Sequence, residues 1–437
     1  MIHKAATVLD GFDAVVVGAG PGGSAAAYHL ARRGRRVALV DKAKFPREKV
    51  CGDGLTPRAV KALIDMGVDT DGPGWARAEG LRIVGAGVVL DLPWPELASF
   101  PGYGLVRTRL DFDSILVDRA VDAGATLMEE TEVTGAIVEH GVVVGVNIEK
   151  IEQNAASNGK PGQKRTRGEA SELRAPVVIA SDGAASRLGI SLGGRRLETR
   201  PMGVAVRAYY WSPKSKETYL ESYLELWHGD ELLPGYGWIF PLPDGTVNVG
   251  LGLLNTSPHF QNVDYRKLLR DWLAGFSPEW ELTPENQVGT VRGGPLPMGG
   301  NRTPVARPGL MLVGDAAGLV NPFNGEGIAY ALETGAMAAE VAHDVLDAGD
   351  PWMMRRYPDR LREAYEGYYT LGRAFVRAIG HASIMGALTK YGLPNRKLME
   401  FAFKVLGNLT EPRGGDASDR LINALSRMAP SAARLVG

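Results

Sequence analysis

The sequence predicts an α/β fold: a parallel-sheet domain of the nucleotide-binding kind, interrupted by an antiparallel sheet and followed by helices. Three observations predict it. The short apolar run "FDAVVV" (12–17) leads straight into "GAGPGG" and an Ala-rich helix. A second strand-and-glycine unit, "GLMLVGDAAG" (309–318), lies far downstream. Between them, over 200–295, the pattern changes to alternation, as in "MGVAVRAYYW", "TYLESYLELW" and "TVNVGLGLL". Continuous apolar runs suit strands covered on both faces; alternation suits strands covered on one.

The elements follow in order. "FDAVVV" is a buried parallel strand, "SAAAYHLARRG" a helix ending at Gly34, and "RRVALVD" a second strand closing at Asp41. In "VRTRLDFDSILVDRAVDAG" (106–124), Leu110, Ile115, Val117 and Val121 recur near helical spacing and predict a helix. Two strand pairs are expected around "TEVTGAIVEHGVVVGVNIEK". Residues 153–172 are polar, lack aromatics and hold one β-branched residue, the pattern of a mobile hairpin tip. "APVVIASDGAASRLG" brings the chain back as a buried strand with a glycine turn. "GIAYALETGAMAAEVAHDVL" is a long helix. Beyond it Leu361, Tyr365, Tyr368, Gly372, Phe375 and Ile379 share one helical face. The expected domains are a discontinuous nucleotide domain (1–75, 105–195 and 296–350), a sheet domain (76–104 and 196–295) and a helical region (351–437).

Composition narrows the function classes. A single cysteine excludes a disulfide scaffold and a Cys-rich zinc site, so no metal is expected and a reducing cytoplasm is. A net charge of −1 advertises no nucleic-acid partner. No secretory leader is recognisable in "MIHKAATVLDGFD", and no apolar run reaches the roughly 18–20 residues that span a bilayer. Charge is uneven, however: from Pro351 on, 14 Lys/Arg face 7 Asp/Glu, a local +7.

Gly18, Gly20 and Gly23 make G-x-G-x-x-G, with Gly22 beside them. The first glycine permits the tight turn, the second lets backbone approach a pyrophosphate, and the third lets helix and strand pack closely; the helix N-terminus then faces the phosphates. Asp41, followed by Lys42, ends the second strand, where a carboxylate accepts hydrogen bonds from ribose hydroxyls. This is a Rossmann-type site for an adenine dinucleotide. "LVGDAAGLVNPFNGEGIAYALETG" (312–335) decides between NAD and FAD. Gly314-Asp315 at a strand end suits a ribityl chain, and Gly325 and Gly327 at a helix start suit flavin N1 and C2=O, whose reduced-state charge the helix dipole stabilises. Asp182-Gly183 adds a third turn of this kind.

Together these motifs resemble the FAD-binding fold of p-hydroxybenzoate hydroxylase-type flavoproteins. More specifically, "CGDGLTPRAV" (51–60), "PGYGWIFP" (234–241), "LPMGG" (296–300) and "GDAAGLVNPFNGEGI" (314–328) resemble the geranylgeranyl reductase family, and within it the actinobacterial menaquinone reductases. The resemblance spans about residues 12 to 410. It implies FAD contacts at Ala19, Asp41, Cys51, Gly52, Gly54, Arg109, Val133, Asp315, Gly327 and Ile328. Arg109 has a physical rationale, since a guanidinium fork neutralises pyrophosphate. The family sets the Gly-rich turn of Cys51 against the flavin, where Gly52 and Gly54 let backbone approach an aromatic ring without Cβ clashes.

Tyr236, Trp238 and Phe240 alternate along one strand and share a face; by the family resemblance they wall a prenyl tunnel. Cys51, Tyr236 and Trp238 are the candidate catalytic residues. The expected reaction is FAD-dependent saturation of a prenyl C=C, in the tail of menaquinone. The alternatives are a geranylgeranyl diphosphate or other prenyl-lipid reductase, an aromatic monooxygenase, or a flavin-binding protein without turnover. Tyr236 at the first position of "YGWIFP" counts against a halogenase, whose motif is Trp-x-Trp-x-x-Pro. The sequence leaves the electron donor open between NADPH and ferredoxin. Arg396, Lys397 and Lys404 beside Leu398, Phe401, Val405 and Leu406 suggest a helix lying on the inner face of the cytoplasmic membrane.

Overall fold

The computed structural model describes residues 7–152, 166–276 and 278–436. Its nucleotide sheet has six strands in the order Ala306–Arg307, Leu310–Leu312, Val177–Ala180, Ala14–Val17, Val37–Val40 and Thr126–Met128. All neighbours are parallel except the first pair. The residues of Ala14–Val17, Val37–Val40 and Val177–Ala180 are all buried, as central strands covered on both faces require. Helix Pro21–Ala31 packs on helix Ile328–Ala348 through glycines: a Cβ on Gly335 would lie 2.3 Å from the carbonyl oxygen of Gly22. The two glycine motifs, distant in sequence, therefore meet at one end of the sheet.

The second layer is a seven-stranded sheet ordered Gln287–Pro297, Met202–Trp211, Thr246–Leu254, Gly235–Pro241, Tyr219–Tyr223, Gly80–Gly85 and Val88–Pro93. It is not wholly antiparallel, because Tyr219–Tyr223 runs parallel to Gly80–Gly85. Thr246–Leu254 lies between two partner strands and is almost entirely buried.

Four local expectations are corrected. Helix Arg109–Asp122 buries Phe112, Leu116, Val117 and Ala120, while Leu110 and Val121 are exposed; the buried polar pair Arg109 and Asp113 displaces the stripe read from apolar residues alone. The two expected strand pairs are one hairpin, Thr131–Glu139 with Val142–Glu152, extended by Thr166–Arg174. Residues 166–172 are thus strand; the rest of the expected tip, 153–165, lies outside the described residues. "TYLESYLELW" stops pairing with the large sheet at Tyr223, and Trp227–His228 instead pairs with Glu231–Leu232.

Candidate active site

One cavity of about 1050 Å³ joins the glycine motifs to the large sheet and the C-terminal helices. Gly18 opens it, with φ +94° and its missing Cβ only 2.4 Å from the carbonyl oxygen of Ser181. Gly23 has no room for a side chain, since a Cβ would sit 1.8 Å from the Gly18 carbonyl oxygen. Gly20 differs: a Cβ there would meet nothing nearer than the Nη2 of Arg47, at 3.6 Å. The backbone at the start of helix Pro21–Ala31 therefore faces open cavity. Asp41 closes the turn, accepting from the amides of Ala19 (2.8 Å) and Ala43 (2.9 Å).

Two guanidiniums converge on buried Asp113. Arg109 is bidentate to it at 2.6 and 2.8 Å, and Arg47 reaches it at 3.0 Å and Asp41 at 3.6 Å. Arg109 is only 6% exposed, so it is no solvated helix-surface charge. Burial pulls its basicity down, but the Asp113 carboxylate outweighs that and raises it. The fork of Arg109 is taken by Asp113, and Arg47 is the guanidinium beside Gly20. No motif flags Arg47 in the sequence; "FPREK" reads as ordinary surface charge.

The Cys51 segment is clamped to the large sheet. Asn248, fully buried, donates from Nδ2 to the Cys51 carbonyl (2.9 Å) and to Asp53 Oδ2 (2.7 Å), and its Oδ1 accepts from Trp238 Nε1 (3.0 Å). Asp53 also accepts from Tyr209 Oη (2.6 Å) and the Arg109 amide (3.1 Å). Burial pushes the Asp53 carboxyl up to about 6 against these bonds. A Cβ on Gly52 would lie 3.2 Å from Phe240, and one on Gly54 3.0 Å from it. The aromatic ring these two glycines admit is thus Phe240 of the sheet. Cys51 is half-buried on the cavity wall, and burial pushes its thiol up.

At the other glycine motif, Asp315 lines the cavity, and burial raises its carboxyl while Lys49 and Arg109 oppose the rise. Gly325 (φ +77°) and Gly327 turn the chain into helix Ile328–Ala348. Glu326 between them accepts from Thr56 at 2.5 Å through Oε1, while its enclosed Oε2 has no partner; burial pushes it up to about 7. Asp182 accepts from the Leu188 amide through Oδ2 and leaves Oδ1 buried without a partner. Tyr236 donates to the Asn324 carbonyl at 2.6 Å and forms, with Trp238 and Phe240, one wall of the cavity. Trp238 lies on Gly250, where a Cβ would come within 2.3 Å of the indole. Lys42 and Val133 line the cavity near Asp41.

Residues 12–223 match the family model "FAD binding domain". The chain is 37% identical over 428 residues to a menaquinone reductase of Mycobacterium tuberculosis, covering 95% of this chain and 98% of the relative. The chain belongs to the geranylgeranyl reductase family. A digeranylgeranylglycerophospholipid reductase of Methanosarcina mazei is 30% identical over 391 residues, covering 87% of this chain and 84% of the relative. The solved structure of a geranylgeranyl bacteriochlorophyll reductase-like protein from Thermoplasma acidophilum superposes with a TM-score of 0.75 at 24% identity, covering 96% and 99% of the two chains, and speaks for the fold.

Family membership makes the chain an FAD-dependent oxidoreductase of the prenyl-reductase type, and the cavity fits that cofactor. The backbone cradle at Gly20, the Arg47 guanidinium beside it, the unpartnered Asp182 oxygen and the Asp315 carboxyl at the second motif are groups that an adenine dinucleotide engages. Of the residues expected to contact the cofactor, Gly18, Gly20, Gly22, Asp41, Cys51, Gly52, Gly54, Arg109, Val133, Asp182, Asp315, Gly325, Gly327 and Ile328 all line this one cavity. Ala19 and Gly23 stand behind it as backbone supports, Ala19 through its amide on Asp41. Asp53, Asn248 and Glu326 escaped the sequence reading. Asp53 was signalled by its place inside "CGDG" and Glu326 by its place inside "NGEG"; Asn248 acquires its partners through the tertiary fold.

Proposed function

We propose that this reductase saturates a C=C in the isoprenoid tail of menaquinone, acting at the cytoplasmic face of the membrane that holds that lipid. The observation that supports this is the shape of the cavity beyond Cys51. It continues between the large sheet and the C-terminal helices as an apolar arm walled by Leu81, Ile83, Leu220, Leu224, Met399 and Phe403. A long hydrocarbon chain buries itself in such an arm at about 25 cal/mol per Å² of apolar surface removed from water. An aromatic substrate for hydroxylation would leave most of the arm unfilled.

Bound and reduced, FAD would supply a hydride to one alkene carbon, and a proton drawn ultimately from solvent must reach the other. The chain's residues orient the alkene and exclude water. Tyr236, Trp238 and Phe240 hold the isoprene unit flat against one wall, with Trp238 locked by Asn248 and Gly250. Cys51 sits at the turn where the apolar arm meets the cofactor cradle and keeps its proton at neutral pH, because burial raises its thiol. A neutral thiol is a feeble acid toward an alkene, so Cys51 packs beside the reacting carbon and shapes the pocket. Residues 76–104 and 196–295 act as the substrate domain on the FAD domain formed by 1–75, 105–195 and 296–350, with 351–437 as its helical cover. NADPH and ferredoxin are both open as donors.

Anaerobic single-turnover reoxidation tests the reading. Dithionite-reduced enzyme is mixed with menaquinone or geranylgeranyl diphosphate, and the oxidised-flavin absorption band is followed. Reoxidation coupled to a gain of two hydrogens in the menaquinone tail, read by mass spectrometry, is the expected result. Reoxidation by the diphosphate alone moves the substrate to a soluble prenyl donor, and reoxidation only by oxygen refutes prenyl reduction.

A further inference from the structure

The apolar arm reaches the C-terminal helices, and the surface beside it has an unusual composition. Ile384, Leu388, Tyr391 and Leu398 are 40%, 47%, 71% and 47% exposed. Ile384, Leu388 and Tyr391 fall on one face across helix Ala382–Ala387 and the wide turn Leu388–Gly392, and Leu398 joins them from helix Arg396–Gly407. Together they line a shallow depression of about 450 Å³. Leu388, Gly392 and Leu398 line this depression and the main cavity as well, so the two adjoin across these residues.

The segment that forms it is one-sided in charge, and Glu231, on the strand packed against helix Ala382–Ala387, is engaged by His259 at 2.8 Å. Between Glu366 and Glu400 the chain carries no acidic residue, while Arg377, Lys390, Arg396 and Lys397 fall within that stretch. Arg396 is balanced by Glu400 at 2.9 Å and by nearby Asp91. Among the described residues no carboxylate pairs with Lys390 or Lys397, and Lys390 lies 5.3 Å from the Tyr391 ring. The helix expected to lie on the membrane presents a different face from the one its sequence pattern suggests. Its most buried face, Met399 and Phe403, packs inward, with Phe403 stacked on Trp94 at 5.0 Å. Lys404 is held by Asp416 at 2.8 Å and Asp419 at 3.1 Å. Only the N-terminal end of that helix, with Lys397 and Leu398, belongs to the exposed patch.

An exposed apolar rim with unpaired lysines suits one partner: a bilayer surface with anionic headgroups, into which side chains such as Tyr391 and Leu388 dip while the ammonium groups stay at headgroup level. A protein partner would leave unexplained why the patch adjoins a hydrocarbon-lined arm. We infer that the Ile384–Leu398 surface docks on an anionic membrane, so that a prenyl tail passes from the bilayer into the cavity without crossing water. This rests on the prenyl-lipid reading above.

The test separates docking from chemistry by measuring vesicle binding directly. FAD-loaded enzyme is sedimented with phosphatidylglycerol–phosphatidylcholine vesicles or with phosphatidylcholine alone, at low and high salt. Binding to the anionic vesicles, weakened by salt, is expected. Each removed cation should weaken it roughly fivefold, so Lys390→Gln/Lys397→Gln should bind on the order of 25-fold more weakly, and adding Tyr391→Ser should weaken it further. All variants should keep wild-type flavin reoxidation by a short-tailed prenyl quinone in detergent, yet lose turnover of the long-tailed quinone embedded in vesicles. Wild-type protein that fails to sediment with anionic vesicles overturns the inference, as does undiminished binding of the triple variant. Normal docking without reoxidation by any prenyl compound would instead overturn the prenyl-reductase reading and leave the docking surface standing.

Discussion

Asn248→Ala should detach the Cys51 segment from the large sheet. Asn248 is fully buried and makes three hydrogen bonds there: from Trp238 Nε1 (3.0 Å), to the Cys51 carbonyl (2.9 Å) and to Asp53 (2.7 Å). At about 1 kcal/mol net for each neutral bond and about 2 for the bond to a carboxylate, their loss amounts to about 4 kcal/mol. Asp53 keeps Tyr209 and the Arg109 amide, so the expected destabilisation is nearer to about 3 kcal/mol, still a large share of the roughly 5–15 that a folded chain has in hand. Urea titration at fixed free FAD measures it, since bound cofactor stabilises by mass action. Far-UV circular dichroism should report the lost stability, and visible circular dichroism of the flavin should change because the adjoining turn moves. A double-mutant cycle with Trp238→Phe should show a coupling of about 1 kcal/mol for the indole bond. A loss below about 1 kcal/mol for Asn248→Ala, or strict additivity with Trp238→Phe, would refute the clamp.

The other expectations are simpler. Gly20→Val should fold with nearly unchanged apoprotein stability, because a Cβ there meets only Arg47 at 3.6 Å, yet lose FAD on gel filtration because it fills the cradle. Cys51→Ala should retain FAD and lose less than about tenfold in single-turnover alkene reduction; a drop of about 10²–10⁴-fold would place the thiol in proton delivery. Burial raises Asp53 from 3.8 to about 6 and Glu326 from 4.5 to about 7. The folded apoprotein therefore binds more protons than the unfolded chain between roughly pH 4 and 7, so its stability is full at the acid end and falls as pH rises through that window, each tenfold difference in proton affinity between the two states being about 1.4 kcal/mol. Asp53→Asn and Glu326→Gln should each flatten that slope in urea titrations at acid and at mildly alkaline pH; an unchanged slope in both would refute it.

The nucleotide half of this molecule was legible because its signals are local. A β-branched run, three glycines at fixed offsets and a carboxylate at the next strand end specify a turn in which Gly18 and Gly23 leave no room for a side chain and Gly20 leaves the cradle open. The alternation in Met202–Trp211, Gly235–Pro241 and Thr246–Leu254 likewise announced a sheet, because the strand period is written in adjacent residues. Periodicity found helix Arg109–Asp122 but misplaced its buried face, which carries an ion pair. It also missed the parallel joint between Gly80–Gly85 and Tyr219–Tyr223, which depends on strands far apart in the chain.

By itself the sequence determined the cofactor class, the two glycine cradles and the family, since each rests on residue types at short, fixed spacings. Only the tertiary structure decided which guanidinium lies beside Gly20, what holds the Cys51 turn, and which surface the apolar arm adjoins. Arg47 meets Asp113, Asn248 meets Cys51, and Leu388 and Leu398 line one depression from separate elements. Burial and charge pairing at those places are properties of three-dimensional neighbours, which no spacing along the chain encodes.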